Sequence, residues 1–277
     1  MISGRTQLIA HLGYPTESFT APMIYNPWFE RQGIDAVVVP MGVMASDYPA
    51  FLRPLFRLSN IRGALVTMPH KVSTLPLLDA VSRAVEIAGS CNAILRRDDG
   101  SLYGDMFDGE GFARGAERKG FTFAGAACLV VGAGGVGSAI AAAIAARRPR
   151  RLALCDTRLE TAESLAARLC DHDPDVPVAI CGHDPAGYDV VVNATPLGMR
   201  AADPLPFDPQ RLDPHTFVAD VVLAAEMTPL LRAAISRGCR HLIGTDMLFE
   251  QIPAYLDFFG YGATTPDELR ATARISY

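Results

Sequence analysis

The 277 residues are 49% hydrophobic and 20% charged, with a formal net charge of −5. That balance suits a soluble globular chain of about two domains. It argues against a nucleic-acid partner, because no basic run exceeds the pairs Arg147-Arg148 and Arg150-Arg151. No apolar stretch approaches the ~18 residues of a membrane span, and no charged N-terminal region leads into a long apolar run. The expectation is therefore a cytoplasmic chain, monomeric or homodimeric, with no membrane partner. In chain order, residues 6–12 and 35–40 read as strands, and 21–32 between them as a helix entered through Pro22. A helical pattern covers 48–58, an apolar strand 64–68, and a further run of helical spacing 73–88. Residues 93–96 and 102–103 predict a hairpin turned by Asp98-Asp99-Gly100. Residues 110–120 look like a connecting helix. Strands then recur at 128–131, 151–155, 177–180, 189–192, 217–222 and 240–243, separated by helical stretches, which predicts parallel α/β sheets. Residues 247–259 form an amphipathic tail.

The six cysteines (Cys91, Cys128, Cys155, Cys170, Cys181 and Cys239) show no C-x-x-C pair, and several fall in apolar strand patterns. They read as buried free thiols in a reducing compartment. The six histidines have no metal-ligand spacing, and no metal is expected.

The most specific motif lies mid-chain. The strand pattern Cys128-Leu129-Val130-Val131 runs into Gly132-Ala133-Gly134-Gly135-Val136-Gly137 and then into a helical run from Ser138. A G-x-G-x-x-G between strand and helix serves a tight turn, close backbone approach to a pyrophosphate, and close helix–strand packing. The helix N-terminus faces the anion. Asp156 ends the next strand, 24 residues past Gly132, close to the ~20 expected of the acid that binds an adenosine ribose. A carboxylate there accepts from both ribose hydroxyls and repels a 2′-phosphate, which favours NAD over NADP. Arg158, two residues on, leaves NADP as the weaker alternative.

About a domain's length of chain precedes this motif, and three of its segments carry unusual chemistry. They are Val66-Thr67-Met68-Pro69-His70-Lys71 at a strand's C-terminal end, Ala88-Gly89-Ser90-Cys91-Asn92-Ala93, and Gly104-Asp105-Met106-Phe107-Asp108-Gly109-Glu110-Gly111. After the glycine turn come Asn193-Ala194-Thr195-Pro196-Leu197-Gly198-Met199, Thr228-Pro229-Leu230-Leu231, and Gly244-Thr245-Asp246-Met247-Leu248-Phe249-Glu250-Gln251. In this order, over nearly the whole chain, the sequence resembles the shikimate/quinate dehydrogenase family. The resemblance implies an α/β fold with an N-terminal α/β substrate-binding and catalytic domain at 1–109 and a doubly wound, parallel-sheet Rossmann domain for NAD at 110–246. A C-terminal helical tail at 247–277 is expected to pack back on the first domain. It implies Lys71 and Asp108 as the catalytic pair, with Thr67, Asn92 and Gln251 hydrogen-bonding the substrate. It also implies cofactor contacts from Gly132, Ala133, Gly134, Gly135, Val136, Gly137, Asp156, Arg158, Asn193, Ala194, Thr195, Pro196, Val221, Gly244 and Met247. The chemistry agrees: oxidising a secondary alcohol needs a hydride acceptor and a base for the hydroxyl proton, and a lysine beside an aspartate supplies the base.

Departures from the family pattern fall in the substrate region. The family's two carboxylate-binding serines correspond to Phe19 and Ala21 in Ser18-Phe19-Thr20-Ala21-Pro22, and neither replacement donates a side-chain hydrogen bond. Leu65, Met106, Phe107 and Leu223 also replace polar family residues and predict a more apolar pocket. The expected substrate is a small hydroxy acid related to shikimate or quinate, with shikimate itself turned over weakly. Ser18, Thr20 or backbone N–H groups are the alternative carboxylate donors. Two other functions stay open. One is a methylenetetrahydrofolate-type dehydrogenase, which shares the two-domain plan. The other is a non-catalytic sensor of NAD or a metabolite, which would have no need of Lys71 and Asp108.

Overall fold

The computed structural model describes residues 2–200 and 202–275. The chain divides into two compact units. One runs through Phe107 and takes up the chain again from Ile252; the other is the continuous stretch Asp108–Gln251. These divisions fall two residues before the expected boundary at 109, and inside a helix instead of at 246.

The first unit contains β1 (Gln7–Gly13), α1 (Pro22–Gln32), β2 (Ala36–Gly42), α2 (Tyr48–Leu55), β3 (Ile61–Val66), β4 (Ala80–Val81), α3 (Arg83–Ala88), β5 (Ala93–Arg96) and β6 (Leu102–Asp105). Its six strands are ordered β2-β1-β3-β5-β6-β4. β2, β1 and β3 are parallel, but β5 runs antiparallel to both of its neighbours. β4 pairs parallel with β6, so five of the six strands run in one direction and the expectation of a parallel sheet fails at β5 alone. The Asp98-Asp99-Gly100 turn is the reason, since a short hairpin joins only antiparallel strands; Gly100 supplies its positive φ of 83°.

The run 73–88 is likewise broken where one helix was expected. A single 3-10 turn at Leu75–Leu77 is followed by β4 and then α3. Asp79 decides this: its carboxylate accepts the Leu102 N–H at 2.8 Å and a bidentate pair from Arg53, which pins extended chain beside β6. Ser82 then caps α3 by accepting the Val85 N–H.

The second unit comprises α4 (Asp108–Arg118), β7 (Ala127–Val131), α5 (Gly135–Ala145), β8 (Arg151–Cys155), α6 (Leu159–His172), β9 (Val178–Ile180), β10 (Val190–Asn193), β11 (Phe217–Asp220), α7 (Pro229–Ser236) and β12 (Arg240–Leu242). All strand pairs are parallel, in the order β12-β11-β10-β7-β8-β9. The order reverses between β7 and β10, the place where doubly wound sheets bind ligands at their strand C-termini. Every residue of β7 and β10 is buried, as strands covered on both faces require.

The helix α8 (Gly244–Phe258) begins in the second unit and ends in the first. The first unit is completed by α9 (Pro266–Thr272), which starts at a Thr265–Glu268 capping box. Its backbone continues to Arg274, whose N–H donates to the Met23 carbonyl of α1. The Phe259 ring sits where any Cβ on Gly63 would be, 2.4 Å away, so β3 admits the ring only because that residue is glycine. The expected tail, 247–277, extends past the described residues at 276 and 277.

Candidate active site

In the first unit the site is built at the C-terminal ends of β1 and β3. The Thr67 N–H donates to Leu12 O at 2.8 Å, which places Thr67 directly beyond β3 and against the end of β1. His70 anchors the next turn. It is fully buried, stacks face to face on Tyr48 with ring centroids 3.9 Å apart, and its Nε2 lies 2.8 Å from Val43 O. Thr74 Oγ1 closes the turn onto His70 O at 2.8 Å. Lys71 follows, and its carbonyl accepts the Cys91 N–H at 2.8 Å.

That bond brings the second sequence segment alongside. Asn92 joins three elements. Its N–H donates to Asp105 O, its carbonyl accepts Val66 N–H, and its Oδ1 accepts Phe107 N–H at 3.0 Å. Its side chain is 1% exposed, yet Nδ2 has no hydrogen-bond partner among the described residues. A buried amide with a spare donor is costly unless a ligand accepts from it. Thr67, Lys71 and Asn92 are thus gathered by backbone hydrogen bonds at one end of the sheet, past β3 and before β5.

Residues 18–21 lie in the loop between β1 and α1. Ala21 is buried at the start of α1, and Thr20 turns its hydroxyl back to Ser18 O at 3.4 Å; Ser18 is exposed. Phe19 stacks on His11 with centroids 4.1 Å apart, and its ring tip lies 2.7 Å from where a Cβ on Gly13 would stand. Sequence reasoning missed His11. It is 7% exposed, and its pKa is lowered to about 3 by burial first and the Lys71 charge second, so it is neutral. A lone histidine inside an apolar strand pattern was the available signal. Leu65 and Met106 lie in the core, and Phe107 packs edge-on against Tyr255 at 4.7 Å and Phe258 at 5.5 Å. Leu65 and Met106 are thus buried, while Phe107 is half-buried.

In the second unit the glycine turn has the geometry of a phosphate cradle. Gly132 has φ 101°, and a Cβ there would lie 2.8 Å from the Ala194 backbone. A Cβ on Gly137 would lie 1.8 Å from Gly132 O. Gly134 differs: it is the N-cap of α5, with φ −71°, and nothing lies within 4 Å of its Cβ position. Protein packing explains the first and third glycines, while the second faces open space at a helix N-terminus. Asp156 is adjacent, its Oδ2 accepting the Ala133 N–H at 2.8 Å and its Oδ1 the Arg158 N–H at 2.9 Å. These residues fit a dinucleotide.

Across the strand-order reversal, Asn193 shapes the facing loop. Its Oδ1 accepts from Thr195 N and Oγ1, and its Nδ2 donates to Leu197 O and to Asp220 Oδ1 at 3.0 Å. Asp220 also accepts from Val222 N–H and Thr228 Oγ1, and burial raises its pKa against these hydrogen bonds. This anchor, 27 residues from Asn193 in sequence, was missed. Val221 is half-buried beside it. Leu223 packs on Gly244, whose Cβ position is 2.9 Å from Leu223 Cδ2, and Met247 lies buried in the first turn of α8. Asp108 is buried as the first residue of α4, and Gln251 is buried on α8 with Oε1 lacking a partner among the described residues. Among those residues no cluster of His, Cys, Asp or Glu has the arrangement of a metal site, and no helix is long and apolar enough to cross a membrane.

Comparison with known proteins settles the family. Residues 12–94 match the model of the shikimate dehydrogenase substrate binding domain. The shikimate dehydrogenase (NADP(+)) of Salinibacter ruber is 39% identical over 267 residues, covering 91% of this chain and 92% of that protein. This chain belongs to the shikimate dehydrogenase family. The enzyme of Rubrobacter xylanophilus with the same name is 36% identical over 90% of this chain and 89% of its own length. Among solved structures, quinate dehydrogenase from Corynebacterium glutamicum in complex with NAD superposes with a TM-score of 0.85 at 30% identity, covering 96% of this chain and 98% of that one. Shikimate 5-dehydrogenase from Listeria monocytogenes, in complex with shikimate and NAD, gives 0.86 at 25% identity, covering 98% and 97%. The two-unit α/β fold, with its substrate-binding and Rossmann halves, is the fold of this family. The chain is accordingly an NAD(P)-dependent oxidoreductase acting on CH–OH donors.

Proposed function

We propose that this enzyme oxidises a secondary alcohol of a small cyclic hydroxy acid of the shikimate or quinate type, reversibly, in the cytoplasm, and that it prefers NAD to NADP. The carrying observation is Asn92, whose buried Nδ2 is unpartnered among the described residues at the end of the sheet that also holds Thr67 and Lys71. A donor kept dry and unused is suited to a substrate hydroxyl or carbonyl oxygen. Thr67 and Gln251 are the further substrate-binding residues in this reading.

Bound nicotinamide supplies the hydride acceptor. Lys71 and Asp108 are the proposed catalytic residues. Together they hold the substrate hydroxyl, pass on its proton and stabilise the alkoxide charge that develops as the hydride leaves. The cofactor residues are those of the glycine turn, Asp156, Arg158, the loop 193–196, Val221, Gly244 and Met247. The NAD preference rests on Asp156, whose carboxylate is held at the glycine turn by two backbone N–H groups and repels a 2′-phosphate. Phe19 and Ala21 leave the substrate carboxylate without hydroxyl donors, so shikimate is turned over with a high KM.

The test is turnover and cofactor affinity together. NADH formation at alkaline pH from shikimate, quinate and simpler hydroxy acids identifies the substrate. Lys71→Ala should lower kcat on it by at least ~100-fold, the usual worth of general acid–base help, with NAD affinity unchanged. Undiminished turnover in Lys71→Ala places the proton step elsewhere. Tighter binding of NADP than NAD by the wild-type protein sinks the Asp156 argument.

A further inference from the structure

Two thiols stand side by side where β8 and β9 end, next to Asp156. The strands run parallel with Leu152 beside Val178, Ala153 beside Ala179 and Leu154 beside Ile180. The Cys181 N–H donates to Leu154 O at 3.0 Å, which carries the register one step on and sets Cys155 beside Cys181. Neighbours on adjacent strands are about 4.8 Å apart, and in-register side chains share a face. Both cysteines pack against the same core cluster, which includes Ala153 and Leu129. That spacing lies within the Cα range that a disulfide spans.

The other cysteines differ. Cys91, Cys128 and Cys239 are buried, as expected, and Cys170 is exposed on α6; Cys155 and Cys181 are half-buried free thiols. Cys181 Sγ lies 3.1 Å from Gly182 O and 3.6 Å from the Tyr188 hydroxyl. Burial first, and then the neighbouring Cys181, hold the Cys155 thiol above its ordinary pKa.

We propose that Cys155 and Cys181 form a peroxide-responsive dithiol whose disulfide weakens dinucleotide binding at Asp156. The Cys181 thiolate attacks a peroxide oxygen. An S–O bond forms as the O–O bond breaks, leaving a sulfenic acid and one water once the leaving oxygen is protonated. The Cys155 thiolate then attacks that sulfur. The S–S bond forms, the S–O bond breaks, and a second water departs, so two thiols and one hydrogen peroxide become one disulfide and two waters. A disulfide draws its Cβ atoms to about 3.8 Å, roughly 1 Å closer than unlinked neighbouring strands stand. Asp156 is the next residue, and its 2.8 Å bond from Ala133 ties that strand end to the glycine turn. The affinity half of this inference rests on the cofactor reading above.

The experiment uses full-length protein carrying Cys170→Ser, which removes the exposed thiol. After hydrogen peroxide treatment, the intact mass should fall by two hydrogens, and a peptide linking Cys155 to Cys181 should appear. The Kd for NAD should rise by about fivefold, the worth of one lost hydrogen bond, and recover with dithiothreitol. Cys181→Ser in the same background should show neither change. Absence of the linked peptide overturns the proposal, as does a linked protein with unchanged Kd. Reduced protein that fails to bind NAD would overturn the cofactor reading instead, and the mass change then decides the dithiol alone.

Discussion

The glycine turn of the second unit and the β1–α1 loop of the first occupy comparable places, each just past the C-terminal end of a strand of its own sheet. They are held differently. At the glycine turn, backbone presses on backbone: Gly132 on Ala194 and Gly137 on Gly132. At the β1–α1 loop side chains join the backbone: Phe19 stands over Gly13 and stacks on His11, and Met68 O also lies 2.7 Å from the Gly13 Cβ position. Backbone contact at Gly132 and Gly137 leaves no room for a Cβ, so these two positions need glycine. A side chain such as Phe19 can be exchanged where a backbone contact cannot, which makes this loop the place to alter by mutation.

The largest expected effect separates fold from ligand within the glycine turn itself. Gly137→Ala places a methyl 1.8 Å from Gly132 O and should destabilise the protein by roughly 3 kcal/mol or more, since the obstacle is backbone. Gly134→Ala meets nothing within 4 Å, so its melting temperature should match wild type while NAD affinity falls. Thermal melts and calorimetric NAD titrations of both variants check this. Equal melting temperatures would show that the backbone contact carries no weight.

Next in size is the pH dependence contributed by His11. Its pKa is about 3 in the folded protein and ordinarily 6.5, so between those values the unfolded chain binds a proton that the folded chain does not. Stability therefore falls as pH drops below about 6.5, and by pH 5 this residue alone costs about 2 kcal/mol. His11→Leu should lose less stability than wild type between pH 7 and pH 5 in denaturant titrations. Parallel losses would mean that His11 is not held neutral.

The smallest effect concerns the loop's specificity. Phe19→Ser with Ala21→Ser should raise kcat/KM on shikimate by up to ~10-fold, the value of one recovered hydrogen bond of about 1.4 kcal/mol. Shikimate turnover by the wild-type protein at the rate of an ordinary family member would show that another group already binds the carboxylate.

What could be read beforehand follows the range of the interaction. Strand, glycine turn, helix and Asp156 lie within one stretch of chain, and the hairpin at Asp98-Asp99-Gly100 declares itself through local turn chemistry. The broken run 73–88 was misread because Asp79 is held by Leu102 and Arg53, 23 and 26 residues away. The Asn193–Asp220 anchor and the Cys155–Cys181 pairing likewise depend on which strands become neighbours, a matter of topology that periodicity does not express. Lys71 and Asn92 were legible as unusual residues. That a backbone bond from Cys91 to Lys71 sets them at one end of the sheet was not.

The division of the chain also bears on the order in which the molecule is made. Asp108–Gln251 is continuous, whereas the first unit needs the segment from Ile252 onward, including Phe259 against Gly63 and Arg274 against Met23. During N-to-C synthesis the second unit has all its residues first, although it was begun later. The substrate-binding sheet must wait with Gly63 uncovered until the last helices emerge. Until then β3 lacks the Phe259 ring that lies against Gly63 in the finished fold.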